Sequence, residues 1–144
     1  GISTITGSEN NKIYQNNVYD NKAGIEITTY YVGLKSFNHK VYDNQIYDCN
    51  KGIIISLKSE NLSFYDNIIY RNNIGISIKE SENNNFSKNV FMKNIISTFF
   101  SDCSKNFWKN NYWDRSRFFP KIIFGYKKLN NFPVLCINID KNPL

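Results

Sequence analysis

The chain has 144 residues, 41% of them hydrophobic and 16% aromatic, and a formal net charge of +6, which is enough apolar material for one domain with a buried core. No apolar run approaches bilayer length, Ile53 to Ile55 and Ile95 to Phe100 being far too short, and any signal segment would have to lie upstream of residue 1. Cys49, Cys103 and Cys136 are odd in number and unrelated in spacing, which excludes both a disulfide framework and a CxxC metal site.

Taken in chain order, the predicted elements are short strands that recur. Ile13 is followed three residues later by Asn16, and the same step returns as Val41 and Asn44, Phe64 and Asn67, Phe86 and Asn89, and Phe107 and Asn110. The starting positions differ by 28, 23, 22 and 21 residues, a period typical of solenoids. After each asparagine a second strand carries Val18, Ile46, Ile69, Phe91 or Tyr112. A third, entered through Gly24, Gly52, Gly75 or Ser97, carries Ile25/Ile27, Ile53/Ile55 and Ile76/Ile78. The small residue is expected at a tight bend. Alternation within each strand, and its Ile, Val and Phe content, fit a pleated surface, so the fold class is all-β, a solenoid of about five coils with three short strands per coil. No stretch carries amphipathic helical periodicity.

Two further polar columns follow the same clock: Asn10, Asn38, Asn61 and Asn83 with Ser104, and Asn21, Asn72 and Asn94 interrupted by Cys49. Stacked coils repeat at about 4.8 Å, so amides in register can hydrogen-bond up the column and to turn backbone, which makes asparagine affordable at half-buried corners. Cys49 then reads as a small buried residue. The sequons at Asn61 and Asn85 match the glycosylation pattern, with Asn61 expected to be inaccessible in its column. The coils are assigned to residues 1–114 and a C-terminal capping segment to 115–144. Gly1 begins partway through a coil, so the solenoid is expected to continue upstream or to have its first coil covered, because open strand edges template aggregation.

The segments I-Y-Q-N-N-V-Y-D-N-K-A-G-I-E-I, V-Y-D-N-Q-I-Y-D-C-N-K-G-I-I-I and F-Y-D-N-I-I-Y-R-N-N-I-G-I-S-I resemble the right-handed parallel β-helix repeats of the NosD-like group, from about Ile5 to Trp113. The tail, Asn111-Tyr112-Trp113 followed by Pro120 to Gly125 and Phe132 to Leu135, is similar to the C-terminal ending of archaeal members. That resemblance implies a right-handed parallel β-helix and an extracellular or cell-surface location. Some members are associated with copper delivery, but copper needs imidazole or soft ligands. Here Met92 and His39 are the sole methionine and histidine, and His39 is expected at the surface or in a turn.

Stacking turns single residues into stripes. One runs Tyr14, Tyr42, Tyr65 and Trp108, broken by Ser87; the other runs Tyr19, Tyr47, Tyr70 and Trp113, broken by Met92. Alternation places both outward, where rings can stack on sugar faces or only on each other. Beside them run Gln15, Asp43, Asp66, Lys88 and Lys109, and Asp20, Asp48, Arg71, Lys93 and Asp114. Asp48/Arg71 and Asp66/Lys88 are expected as surface ion pairs. Asp43/Asp66 and Asp20/Asp48 place carboxylates one coil apart, as paired catalytic acids or, for Asp20 and Asp48, a calcium site. Arg71 would then act as the base on a uronate, in the manner of β-helical pectate lyases.

Residues 86–128 hold nine Lys/Arg against two acids. This basic end, with Arg115, Arg117 and Lys121, would attract acidic glycans, and no nucleic-acid module accompanies it. The 28-residue first period inserts Thr29 to Lys35, whose tyrosines and Lys35 are expected at the rim of a groove beside the aromatic stripe. Three functions stay open on these residues: a polysaccharide-binding or cell-surface glycan module, a polysaccharide lyase or glycoside hydrolase, and a passive spacer.

Overall fold

A computed structural model describes residues 1–31, 33–114 and 119–144, and every described element is a β-strand or a turn. Each coil contributes three strands. The first column stacks Lys12–Tyr14, Lys40–Tyr42, Ser63–Tyr65, Asn85–Ser87 and Phe107–Lys109; the second stacks Asn17–Tyr19, Gln45–Tyr47, Ile68–Tyr70, Val90–Met92 and Tyr112–Trp113. The third, with longer strands, stacks Ile2–Ile5, Ala23–Thr28, Lys51–Ser56, Ile74–Lys79 and Ile96–Ser101. Neighbours within each column pair in parallel, Val41 opposite both Ile13 and Phe64, and Ile46 opposite both Val18 and Ile69. The parallel β-helix of about five coils expected from the repeat is therefore the fold.

The corners explain how so short a coil closes. Gln15, Asp43, Asp66, Lys88 and Asn110 all have φ between 53° and 57°, as do, at 53° to 56°, Asp20, Asp48, Arg71, Lys93 and Asp114. A single left-handed residue between two three-residue strands swings the chain through the corner, and Asn and Asp tolerate that conformation best. A third such column is Asn10, Asn38, Asn61, Asn83 and Lys105. These asparagines are bend residues, and the ladder expected there is carried one position later: His39, Leu62, Asn84 and Asn106 are buried, and Asn84 and Asn106 accept through Oδ1 from the backbone N–H of Leu62 and Asn84. Asn61 is exposed, contrary to expectation.

His39, expected outside, is fully buried; it fills that ladder position, its Nδ1 accepting from the Asn11 N–H at 3.1 Å and its Nε2 lying 3.4 Å from Ser8 Oγ.

The principal amide ladder forms as the repeat predicts. Asn44 donates through its backbone N–H and Nδ2 to Asn67 Oδ1 at 3.1 and 3.0 Å, and through Nδ2 to the Ile13 and Tyr42 carbonyls at 2.9 Å. Asn67 repeats this toward Asn89, and Asn89 toward Asn111. In the next column Cys49 is buried and its N–H donates to Asn72 Oδ1, so it is the small inward residue expected.

The fifth coil departs from the expected register by one residue. Phe86 stands opposite Trp108, and Phe91 opposite Trp113. Phe107 is exposed and the ladder runs through Asn111 rather than Asn110. Both tryptophans, expected on the outer stripes, are buried and stack on Phe86 and Phe91 at 4.1 and 4.4 Å. Burying two indoles at the end of the stack removes far more apolar surface from water than Phe107 and Tyr112 would. Lys109 consequently leaves the corner, which Asn110 takes.

Gly24, Gly52 and Gly75 lie inside the third-column strands, not at bends. A Cβ on Gly52 would come within 2.6 Å of the Gly75 carbonyl oxygen, so close backbone approach between coils, not turning, excludes a side chain.

A hairpin of Lys121–Leu129 and Phe132–Asp140 follows. Its first strand adds to the third column through Phe100 and Ser101, and its second to the first column through Trp108 opposite Asp140. One hairpin thus bridges two faces across the end of the core, with Ile123 and Asp140 turned inward and buried.

Candidate functional site

The two tyrosine stripes form as ladders. Tyr14, Tyr42 and Tyr65 stack with centroids 5.0 and 4.9 Å apart and planes within 3°. Tyr19, Tyr47 and Tyr70 stack at 5.2 and 4.8 Å, tilted by 14° and 15°. They sit on adjacent strand columns either side of the corner that carries Gln15, Asp43 and Asp66, so six phenols and exposed carboxylates share one edge of the solenoid. Tyr14 and Tyr19 are exposed and the other four half-buried. Within each ladder the rings face one another; what they offer outward is a regular row of ring edges and hydroxyls. Burial and the neighbouring ring push the phenols of Tyr47 and Tyr65 up from their ordinary value, so these hydroxyls remain protonated donors.

Arg71 closes the second ladder. Its Nε and Nη2 donate to the two oxygens of Asp48 at 2.9 and 2.6 Å, and its guanidinium lies 5.1 and 5.7 Å from the Tyr70 and Tyr47 ring centres. This bidentate fork stacked on rings is a geometry lysine would not reproduce. The hydrogen bond to Asp48 is the main cause that pushes Arg71 up from its ordinary value. A base must give up its proton, so the pairing works against the role of Arg71 as a base. Calcium at Asp20 and Asp48 would have to displace the guanidinium, since both Asp48 oxygens are engaged. Asp43, Asp66, Asp20 and Asp48 are all exposed corner residues, repeated by the geometry of the coil. Of the two expected vertical ion pairs Asp48–Arg71 forms, while Asp66 and Lys88 make none.

The basic end is divided. Arg115 and Arg117 lie outside the described residues, and Lys121 sits with its Nζ 5.7 Å from the Trp113 ring centre, at the far end from the tyrosines. The grooves lined by described residues of the insertion contain none of the six ladder tyrosines. Thr29, Tyr30 and Tyr31 share a groove with Leu57, Lys58 and Glu80, and Lys35 pairs with Glu60 at 2.7 Å.

Sequence reasoning missed a second groove along that corner, lined by Glu60, Glu80, Glu82 and Asp102 with Lys35 and Lys58. The signal was the triplet Ser-Glu-Asn at Ser8, Ser59 and Ser81: its serines at 59 and 81 point inward and are buried, and its glutamates at 60 and 82 stack in parallel register. Among the described residues no group of three or more His, Cys, Asp or Glu is arranged to hold a metal ion, and no helix is long and apolar enough to cross a membrane.

Compared with known proteins, residues 1–127 match the family described as right handed beta helix region. No curated protein and no solved structure matches the chain.

Proposed function

The chain belongs to the right-handed β-helix family, and from that premise we propose that it is a carbohydrate-binding module whose ligand lies along the two tyrosine ladders. The observation that carries this reading is the pair of three-ring ladders at 4.8–5.2 Å spacing flanking an exposed carboxylate column. Regularly spaced phenol donors and ring edges suit a repeating polymer. Carboxylates such as Asp43 and Asp66 are acceptors for sugar hydroxyls, while they repel uronates, so the ligand class is an uncharged polysaccharide instead of the acidic one expected from the net charge. Within the family, the repeated G-I-x-I and N-x-I/V-Y segments support placement in the NosD-like group, and with it a cell-surface or extracellular location.

Affinity electrophoresis through gels cast with neutral or uronate polysaccharides tests the reading. Retardation by a neutral polymer, abolished when Tyr14, Tyr42 and Tyr65 are all changed to Ser, is the expected result. Unchanged mobility in every neutral gel would leave the ladders as coil-stacking devices, each pair stabilising by about 0.2–1 kcal/mol, and the chain as a spacer.

A further inference from the structure

The hairpin that closes the solenoid has two unlike faces. Direct partners across an antiparallel pair point to the same side, so Ile123, Gly125 and Asp140 face the core, while the pairs Ile122/Ile139, Phe124/Ile137 and Tyr126/Leu135 face away from it. On that outer side five aliphatic or aromatic side chains are 43–70% exposed, and no charged residue interrupts the three pairs. The strip continues sideways. Ile95, 80% exposed, shares a groove with Ile122 and Phe124, and Phe107, 62% exposed, shares another with Ile137 and Ile139. Taking about 200 Å² for a fully exposed large apolar side chain, these seven residues offer roughly 800 Å², beyond the largest patch of an ordinary monomer, about 300–600 Å².

Cations rim this surface. Lys109 and Lys141 line the second groove, and Lys128, on the same side of the hairpin as Tyr126, stands exposed further along it with its backbone N–H donating to Asp102 Oδ1. The acid among the groove residues is Asp114, whose Oδ1 already accepts from the Lys93 N–H. A second copy packed end to end would set lysine rim against lysine rim. A surface with an apolar interior and anionic charge at its boundary complements both features at once.

We propose that the C-terminal end face of the solenoid docks on an anionic lipid bilayer, the outer hairpin strip entering the headgroup–acyl boundary and the lysines resting on lipid phosphates. This surface lies at the end of the coil stack, away from the tyrosine ladders, and is independent of glycan binding.

The full chain is sedimented with phosphatidylcholine vesicles, with and without phosphatidylglycerol. Binding is expected with phosphatidylglycerol and to fall with added salt. Phe124→Ser combined with Ile137→Ser is expected to weaken it about tenfold or more, since it removes buried apolar area. Lys109→Gln combined with Lys141→Gln should weaken it about thirtyfold, at about 1 kcal/mol per cation near the surface. Both pairs are exposed, so the wild-type thermal transition is retained and confirms that each variant is folded. Failure to sediment with anionic vesicles overturns the proposal, as does equal binding to phosphatidylcholine alone. A dimer by light scattering that Phe124→Ser/Ile137→Ser dissociates assigns the face to a second copy and overturns it equally.

Discussion

Every rung of the principal ladder donates toward the C-terminal end: Asn16 to Asn44, Asn44 to Asn67, Asn67 to Asn89 and Asn89 to Asn111. The last rung needs an acceptor with nothing left to donate, and a carboxylate meets that demand where a further asparagine would not. Asp140, fully buried on the hairpin, takes through Oδ2 the Asn111 N–H at 3.0 Å, Asn111 Nδ2 at 2.8 Å and Trp113 Nε1 at 3.1 Å. Asp140→Ala strands three buried donors, each costing about 1–3 kcal/mol. Partial relaxation brings the sum to about 3–5 kcal/mol, the range for removing one member of a buried charged network. Asp140→Asn keeps one acceptor oxygen and is expected to cost about 1–2 kcal/mol, the difference between a charged and a neutral hydrogen bond.

Both tryptophans, Trp108 and Trp113, lie in the last coil, so their fluorescence in a urea titration reads this end alone while far-ultraviolet dichroism reads the whole stack. In a solenoid whose coils are stabilised by their neighbours, Asp140→Ala should move the fluorescence midpoint down by about 1 M or more, using a slope of about 1–3 kcal/mol/M, ahead of the dichroism. An Asp140→Ala midpoint no lower than that of the exposed corner control Asp66→Asn would refute the terminator role.

Three other outcomes follow from the same geometry. Asn67→Ala removes the acceptor for two Asn44 donors and should cost about 2–4 kcal/mol by urea denaturation, with both spectroscopic probes moving together because the lesion is central. Gly52→Ala drives a Cβ against the Gly75 carbonyl and Asn72; a loss above about 2 kcal/mol is expected, and a stability equal to wild type would show that the coils can separate freely. Burial holds His39 below its ordinary value of 6.5, so the unfolded chain takes up a proton first as pH falls. The stability is therefore intact above about pH 6.5 and lost progressively below it. His39→Asn, the residue type of Asn84 and Asn106 in that column, should flatten the dependence below about pH 6.5, whereas an unchanged slope would mean the imidazole is not the group responsible.

Much of the fold was legible because the coil repeats its inward residues at fixed steps: Ile13, Val41, Phe64 and Phe86, and the asparagines three residues later, all take the expected places. The fifth coil was misread because Phe107 and Trp108 are both apolar, and only the competition to bury the larger ring selects the second. The corner columns were read as charged stripes with chemistry in view, while their spacing of five residues, as in Asn38, Asp43 and Asp48, is set by left-handed backbone positions. The tyrosine ladders followed from simple alternation. Asp140 and the outer hairpin strip were out of reach, because they depend on a long-range closure that joins the tail to two different strand columns.

The central functional claim concerns the outward tyrosines. Ring resonances of Tyr14, Tyr19, Tyr42, Tyr47, Tyr65 and Tyr70, assigned by single Tyr→Phe variants, can be followed by NMR while an oligosaccharide of the retarding neutral polymer is added. Saturable shifts concentrated on these six rings, and absent from Tyr30, Tyr31 and Tyr126, are the predicted result. Binding that leaves all six unmoved, or no neutral polymer bound at all, would contradict it.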